Sequence, residues 1–192
     1  QIEIPGVAVE ETYDDMCEVR VTTVRIETEN GAAVMGKPVG NYITLEAPKM
    51  AEADESYHRE ISGKLMEVLE GCLPEKEDGQ SILIIGLGNR NVTPDALGPL
   101  VVEHLDITRH LVKEYGKYAI GVDDAPMISA VVPGVMGQTG MESAEIVRGI
   151  VSETNPDVII AVDALAARNS KRLNRTIQIA DTGIHPGSGV VN

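Results

Sequence analysis

A single stretch, Ser81-Ile-Leu-Ile-Ile-Gly-Leu-Gly-Asn-Arg-Asn-Val-Thr-Pro-Asp95-Ala-Leu-Gly-Pro99, carries the reading of the architecture. Four consecutive apolar residues, Ile82 to Ile85, lie between Gly79 and Gly86 and read as a strand buried on both faces. Gly86 and Gly88 then let the backbone turn sharply without a Cβ clash. Thr93-Pro94-Asp95 opens a helix, with Pro at or near its first position. Leu97, Leu100, Val101, Leu105 and Leu111 give that helix an apolar face. Asp95 is thereby placed where a buried strand hands over to a helix, the edge at which open α/β sheets bind ligands.

Outward from this centre the same pattern recurs. Pro126 to Val132 can form a strand, Pro133-Gly134 turns it, and Thr139-Gly-Met-Glu142 has the form of a capping box. Met141, Ala144, Val147 and Val151 mark a helical stripe that Asn155-Pro156 ends, because the residue before Pro disfavours the helical region. Asp157-Val-Ile-Ile-Ala-Val162 is a second buried strand, with Asp163 at its C-terminal edge. Upstream, Ile61, Leu65, Val68 and Leu69 predict a helix from Asp54 to about Leu73. Before it, Glu18 to Thr28 and Asn41 to Glu46 alternate as half-buried strands do, separated by an Asn30-Gly31 turn and a loop of Gly36, Pro38 and Gly40. They predict an antiparallel ribbon added to the edge of a larger sheet. Asn174 to Ala180 makes a further strand, and Asp181 to Gly189 a glycine-rich loop. Strands alternating with helices predict one α/β domain over residues 1–192: three layers, a mostly parallel sheet with helices on both faces, and the N-terminal ribbon.

Composition narrows the function. The 192 residues include no Trp, no Phe and five Tyr, so the core must be aliphatic. Lys and Arg number 16 against 30 Asp and Glu, a net charge of −14, which argues against direct binding of nucleic acid or an anionic membrane surface. No apolar run approaches a membrane span, and no signal peptide opens the chain. Cys17 and Cys72 have no metal-ligand or CxxC spacing, so a reduced, intracellular location is the economical reading.

Each candidate for chemistry has a structural alternative. Asp163 emerges from a buried strand at a partly buried edge, or it caps the Ala164 to Arg168 turn. Asp95 is suited to a first helical turn by the helix dipole alone. Together the two acids say more, because both follow parallel strands at βα turns and can converge. A carboxylate pair sharing a proton can activate water and protonate a leaving amine. Gly86-Leu-Gly88 lacks the third small residue of a dinucleotide fingerprint, having Asn91 there, and the phosphate-binding GKS/T is missing. His185 is a base, a metal ligand or a turn residue. Arg168, Arg172 and Arg175 form a cationic patch that either neutralises nearby carboxylates or receives an acidic substrate side chain. Gly187-Ser188-Gly189 matches a nucleophile elbow only in part, and Cys72 reads as packing.

Gly86 to Pro99, Pro133-Gly-Val-Met-Gly-Gln-Thr-Gly140, Val162-Asp-Ala-Leu-Ala-Ala-Arg168 and Asp181-Thr-Gly-Ile-His-Pro-Gly-Ser-Gly189, with Gly36-Lys-Pro38 and Tyr42 to Glu46, resemble the germination protease family of spore-forming bacteria. The resemblance covers nearly the whole chain. It implies an endopeptidase that degrades small acid-soluble spore proteins at germination, cutting after Glu, made as a zymogen and assembled as a homotetramer in the spore core. The family's proposed catalytic aspartates fall, by motif, on Asp95 and Asp163. The fold also resembles that of hydrogenase maturation endopeptidases, whose pattern is matched by Gly86, Gly88, Asn89, Asp95 and Gly98. The resemblance further implies that the chain starts inside the family's N-terminal region and stops before its C-terminal end.

The reading is therefore an atypical aspartic endopeptidase using Asp95 and Asp163, with Arg168 and His185 as substrate contacts and neither cofactor nor metal. Two alternatives stand beside it. One is a metal-dependent processing peptidase with Asp95, Asp163 and His185 as ligands. The other is a non-catalytic domain that binds a peptide or nucleotide through its glycine loops.

Overall fold

A computed structural model describes residues 4–75, 79–116, 121, 126–166 and 172–184. The chain divides into two compact units, one of residues 1–73 and 166–185, the other of 74–165 and 186–192.

The first unit is built on an antiparallel sheet. Strands β1 (Val7–Asp14), β2 (Val19–Ile26), β3 (Gly40–Glu46) and β7 (Thr176–Ala180) pair in the order β1-β2-β3-β7. Alternation sends Val19, Val21, Leu45, Ile43, Ile177 and Ile179 to one face, where Tyr57, Ile61, Leu65 and Val68 of helix α2 (Glu55–Cys72) cover them. Asp54 caps that helix by accepting from the N–H groups of Ser56 and Tyr57 at 3.0 and 3.1 Å. The two expected ribbon strands do pair, but in a sheet of their own rather than on the edge of the parallel one. Two further differences concern local chemistry. Asn30-Gly31 lies inside a short helix, α1 (Glu29–Met35), because the Thr28 hydroxyl accepts from Gly31 N–H and caps it. Strand β1 is additional to the strands that the sequence pattern predicts: Glu10, Glu11 and Asp14 hide its alternation, and its side chains are largely exposed on a sheet edge.

The second unit is the α/β part. Strands β4 (Ser81–Gly86), β5 (Met127–Val131) and β6 (Val158–Val162) form a parallel sheet in the order β5-β4-β6. Leu83 and Ile85 face helix α6 (Ser143–Thr154), whose Val147, Ile150 and Val151 pack on them. The opposite face meets α3 (Leu97–Glu103): a Cβ on Gly86 would stand 2.3 Å from the Gly98 carbonyl. Helices thus lie on both faces, as expected of the class. The long helix expected after Asp95 is broken. A 3-10 turn (Thr93–Asp95) leads into α3, and α4 (Arg109–Tyr115) begins anew after Thr108. Thr108 makes the break by bonding strand β5: its hydroxyl donates to the Pro126 carbonyl and accepts from Ile128 N–H. The capping box ahead of α6 is shifted by three residues, with Glu142 as N-cap and Glu145 at N3, after a single helical turn α5 (Met136–Thr139).

Candidate active site

Three loops leave the carboxyl ends of the parallel strands, and the pairing brings them side by side. Gly86 is in register with Val162, and Leu87 N–H donates to the Val162 carbonyl at 2.8 Å, extending the β4–β6 contact past the strand ends. Asp163 is therefore the first residue beyond that contact. Asp95 is delivered from the other side by the turn that opens α3.

Glycines make the approach possible. A Cβ on Gly98 would lie 2.3 Å from the Leu87 carbonyl and 2.6 Å from that of Val162, so α3 enters at backbone contact with both strands. Gly88 has φ +112 and its missing Cβ would stand 2.1 Å from the Asp95 carbonyl. Gly86, expected to serve the turn, instead leaves room for α3. The Gly86-Leu-Gly88 spacing thus has a packing explanation, with no phosphate needed to account for it.

Asp95 is half-buried, and its Oδ2 accepts the Asn89 N–H at 2.8 Å while its carbonyl accepts the same N–H at 3.0 Å. Asn89 in turn folds back, its Oδ1 accepting from Asn91 N–H at 3.0 Å and from Gln138 Nε2 of α5 at 3.3 Å. Asp163 is half-buried too, and its Oδ1 accepts from Ala164 N–H at 2.8 Å. Desolvation pushes its carboxyl pKa up, the Ala164 N–H opposes this, and the charge of Asp95 adds to the rise. The charge of Asp95 therefore reaches Asp163 at a half-buried sheet edge.

Not every expected site residue joins them. Arg168 and His185 lie outside the described residues. Arg172 and Arg175 belong to the first unit, where they line a pocket with Glu46, Ala47, Pro48 and Thr176. There Arg172 pairs with Glu46 at 2.9 Å, the neutralising role open to it from sequence. Among the described residues, no group of three His, Cys, Asp or Glu gathers to hold a metal ion. Asn89, marked in the sequence only as part of a shared pattern, and Gln138, marked only as part of a motif, join the site with no role assigned to either from sequence. An Asn directly after a glycine turn is a common self-bonding turn residue, which is a usable signal; nothing local marks Gln138.

Parallel strands, a glycine-packed helix and two aspartates at one sheet edge describe an α/β protein with a candidate site at that edge. The chain belongs to the germination protease family, whose family model matches residues 1–192. It is 47% identical over 190 residues to the germination protease of Caldanaerobacter subterraneus, covering 99% of this chain and 57% of that protein. Against the Priestia megaterium germination protease it is 47% identical over 195 residues, with 100% and 51% covered. Against that of Bacillus subtilis the figures are 46% over 176 residues, with 91% and 47% covered. The chain spans about half the length of the curated relatives it matches. No helix among the described residues is long and apolar enough to cross a membrane.

Proposed function

We propose that this chain carries the catalytic part of an endopeptidase of spore germination that hydrolyses peptide bonds with Asp95 and Asp163. The observation that carries the reading is the placement of two half-buried acids, Asp95 and Asp163, at the carboxyl edge of the paired strands β4 and β6. Protonated Asp163 donates to the scissile carbonyl oxygen while Asp95, held through Oδ2 by Asn89 N–H, takes a proton from water. The water oxygen bonds to the carbonyl carbon and a tetrahedral diol forms. Asp95 then passes its proton to the amide nitrogen, the C–N bond breaks, and Asp163 recovers its proton from the collapsing hydroxyl. The two acids end as they began.

The proposed substrates are small acid-soluble spore proteins, cut after Glu in the spore core by a tetramer matured from a zymogen, a reading supported by membership in a germination protease family. Arg168 is the proposed partner of the substrate Glu, since a guanidinium can hold a carboxylate with two hydrogen bonds, and His185 a further substrate contact.

The test is cleavage of a Glu-containing peptide by the full-length protein before and after exhaustive chelation. Activity is expected to survive chelation, and Asp95→Asn and Asp163→Asn each to lower it on the order of 10²–10⁴-fold. Turnover lost on chelation and restored by zinc or nickel would instead establish a metallopeptidase.

A further inference from the structure

We propose that Gln138 is a positioning residue, acting on Asp95 through Asn89. The inference rests on the reading of Asp95 as the group that activates water. Asn89 is the hinge of the arrangement: its N–H fixes Asp95 Oδ2 at 2.8 Å, while its side-chain Oδ1 accepts from Gln138 Nε2 at 3.3 Å. A side chain pinned from outside keeps the peptide plane of residue 89, and with it the direction of that N–H, from rotating. Asp95 Oδ1 then stays over Gly88, where a Cβ would be 3.1 Å from it.

Gln138 is exposed, yet it does not stand on a loose loop. The α5 turn is closed by Gly140 N–H to the Met136 carbonyl at 2.8 Å. It is tied to α6 by the Ser143 hydroxyl donating to the Gly134 carbonyl at 3.1 Å, and the Thr139 hydroxyl accepts from Met141 N–H at 3.2 Å. The Pro133 side of the loop is buried. Loop β5–α5 thereby becomes the third contributor to the edge that β4 and β6 supply with carboxylates, and it acts without touching either acid.

The chemistry makes a specific demand. Gln138 must donate, because Asn89 Oδ1 is held as an acceptor by Asn91 N–H at 3.0 Å. Gln138→Ala removes the donor and is expected to lower kcat about tenfold, the scale of a small misplacement of a catalytic group, with KM within about twofold. Gln138→Glu presents an ionised acceptor to an acceptor, so it is impaired at neutral pH. As pH falls through the carboxylate range the Glu gains a proton and can donate, so its kcat relative to wild type should climb back. A residue serving only the fold would show no such pH-dependent rescue.

The measurement is kcat and KM of Gln138→Ala and Gln138→Glu against pH in the full-length protein, with Asp95→Asn in parallel. Asp95→Asn active would remove the underlying reading and this inference with it. With Asp95→Asn dead, three results overturn the inference alone: unchanged kcat in Gln138→Ala, a loss confined to KM, or a Gln138→Glu defect that is the same at every pH.

Discussion

The two ends of strand β6 hold an aspartate each, and the contrast between them separates architecture from chemistry. At the amino end Asp157 Oδ2 accepts both the N–H and the hydroxyl of Ser81, at 2.7 and 2.8 Å, and Asp157 N–H returns to the Ser81 carbonyl. Those donors favour the ionised form and hold its carboxyl below the usual range. At the carboxyl end Asp163 has one local N–H, is partly removed from water and feels Asp95, and its carboxyl is pushed up. Asp14 and Asp54, in the antiparallel unit, follow Asp157: each is drawn down mainly by hydrogen bonds that end a turn or cap a helix. Fixed acids are surrounded by donors, and among the described aspartates Asp163 alone is shifted the other way. That asymmetry along one strand is the physical content of the site.

The largest effect that would sharpen the contrast is on turnover. Asp163→Asn and Asp95→Asn should each lose on the order of 10²–10⁴ in kcat, the range for a positioned acid or base, while Asp157→Asn stays within about twofold of wild type. If Asp163 acts as the acid, wild-type kcat falls as pH rises through its raised pKa. An Asp157→Asn variant as inactive as Asp163→Asn would erase the distinction between the two ends.

Next in size is Gly98→Ala. The added methyl would meet backbone at 2.3 to 2.6 Å from Leu87 and Val162, neither of which can step aside without breaking the Leu87–Val162 hydrogen bond. Overpacking of this kind costs about 1–3 kcal/mol, and the expected result is a lower melting temperature together with lost activity, since α3 carries Asp95 into place. Gly63→Ala on α2, where a Cβ meets nothing within 4 Å, is the control: it should keep activity and raise rather than lower the melting temperature, since Ala is the better helix former.

The strands that frame this contrast are legible in the order of residues. Ile82–Ile85 and Val158–Val162 are uninterrupted apolar runs, and both are strands of the parallel sheet; the two aspartates that follow such runs can be found by position alone. Other features depend on contacts that periodicity does not encode. The apolar stripe from Leu97 to Leu111 continues smoothly through a break imposed by Thr108 bonding across to β5. The run Asn174–Ala180 reads as a strand but gives no sign that it pairs with β3, some 130 residues earlier, through the Tyr42–Ala180 and Glu46–Thr176 register. Gln138 is invisible for the same reason: its partner, Asn89, is 49 positions away.

The smallest expected effect is also the one whose sign is hardest to mimic. Asp157 has a lowered pKa, so its ionised form contributes stability that is present above the ordinary carboxylate value and lost as pH falls through the lowered one. Asp163 has a raised pKa, so its contribution is present below the ordinary value and lost as pH rises through the raised one. Replacing each by Asn removes the titration while keeping the shape. At neutral pH, Asp157→Asn should therefore melt below wild type and Asp163→Asn slightly above it. On acidification both differences should shrink toward zero, from opposite directions. Thermal melts of the two variants and wild type at pH 7 and at successively lower pH values test this. Asp163→Asn melting below wild type at neutral pH would mean that its carboxylate is satisfied like that of Asp157, and the site would lose the half-dry acid on which the proposed chemistry depends.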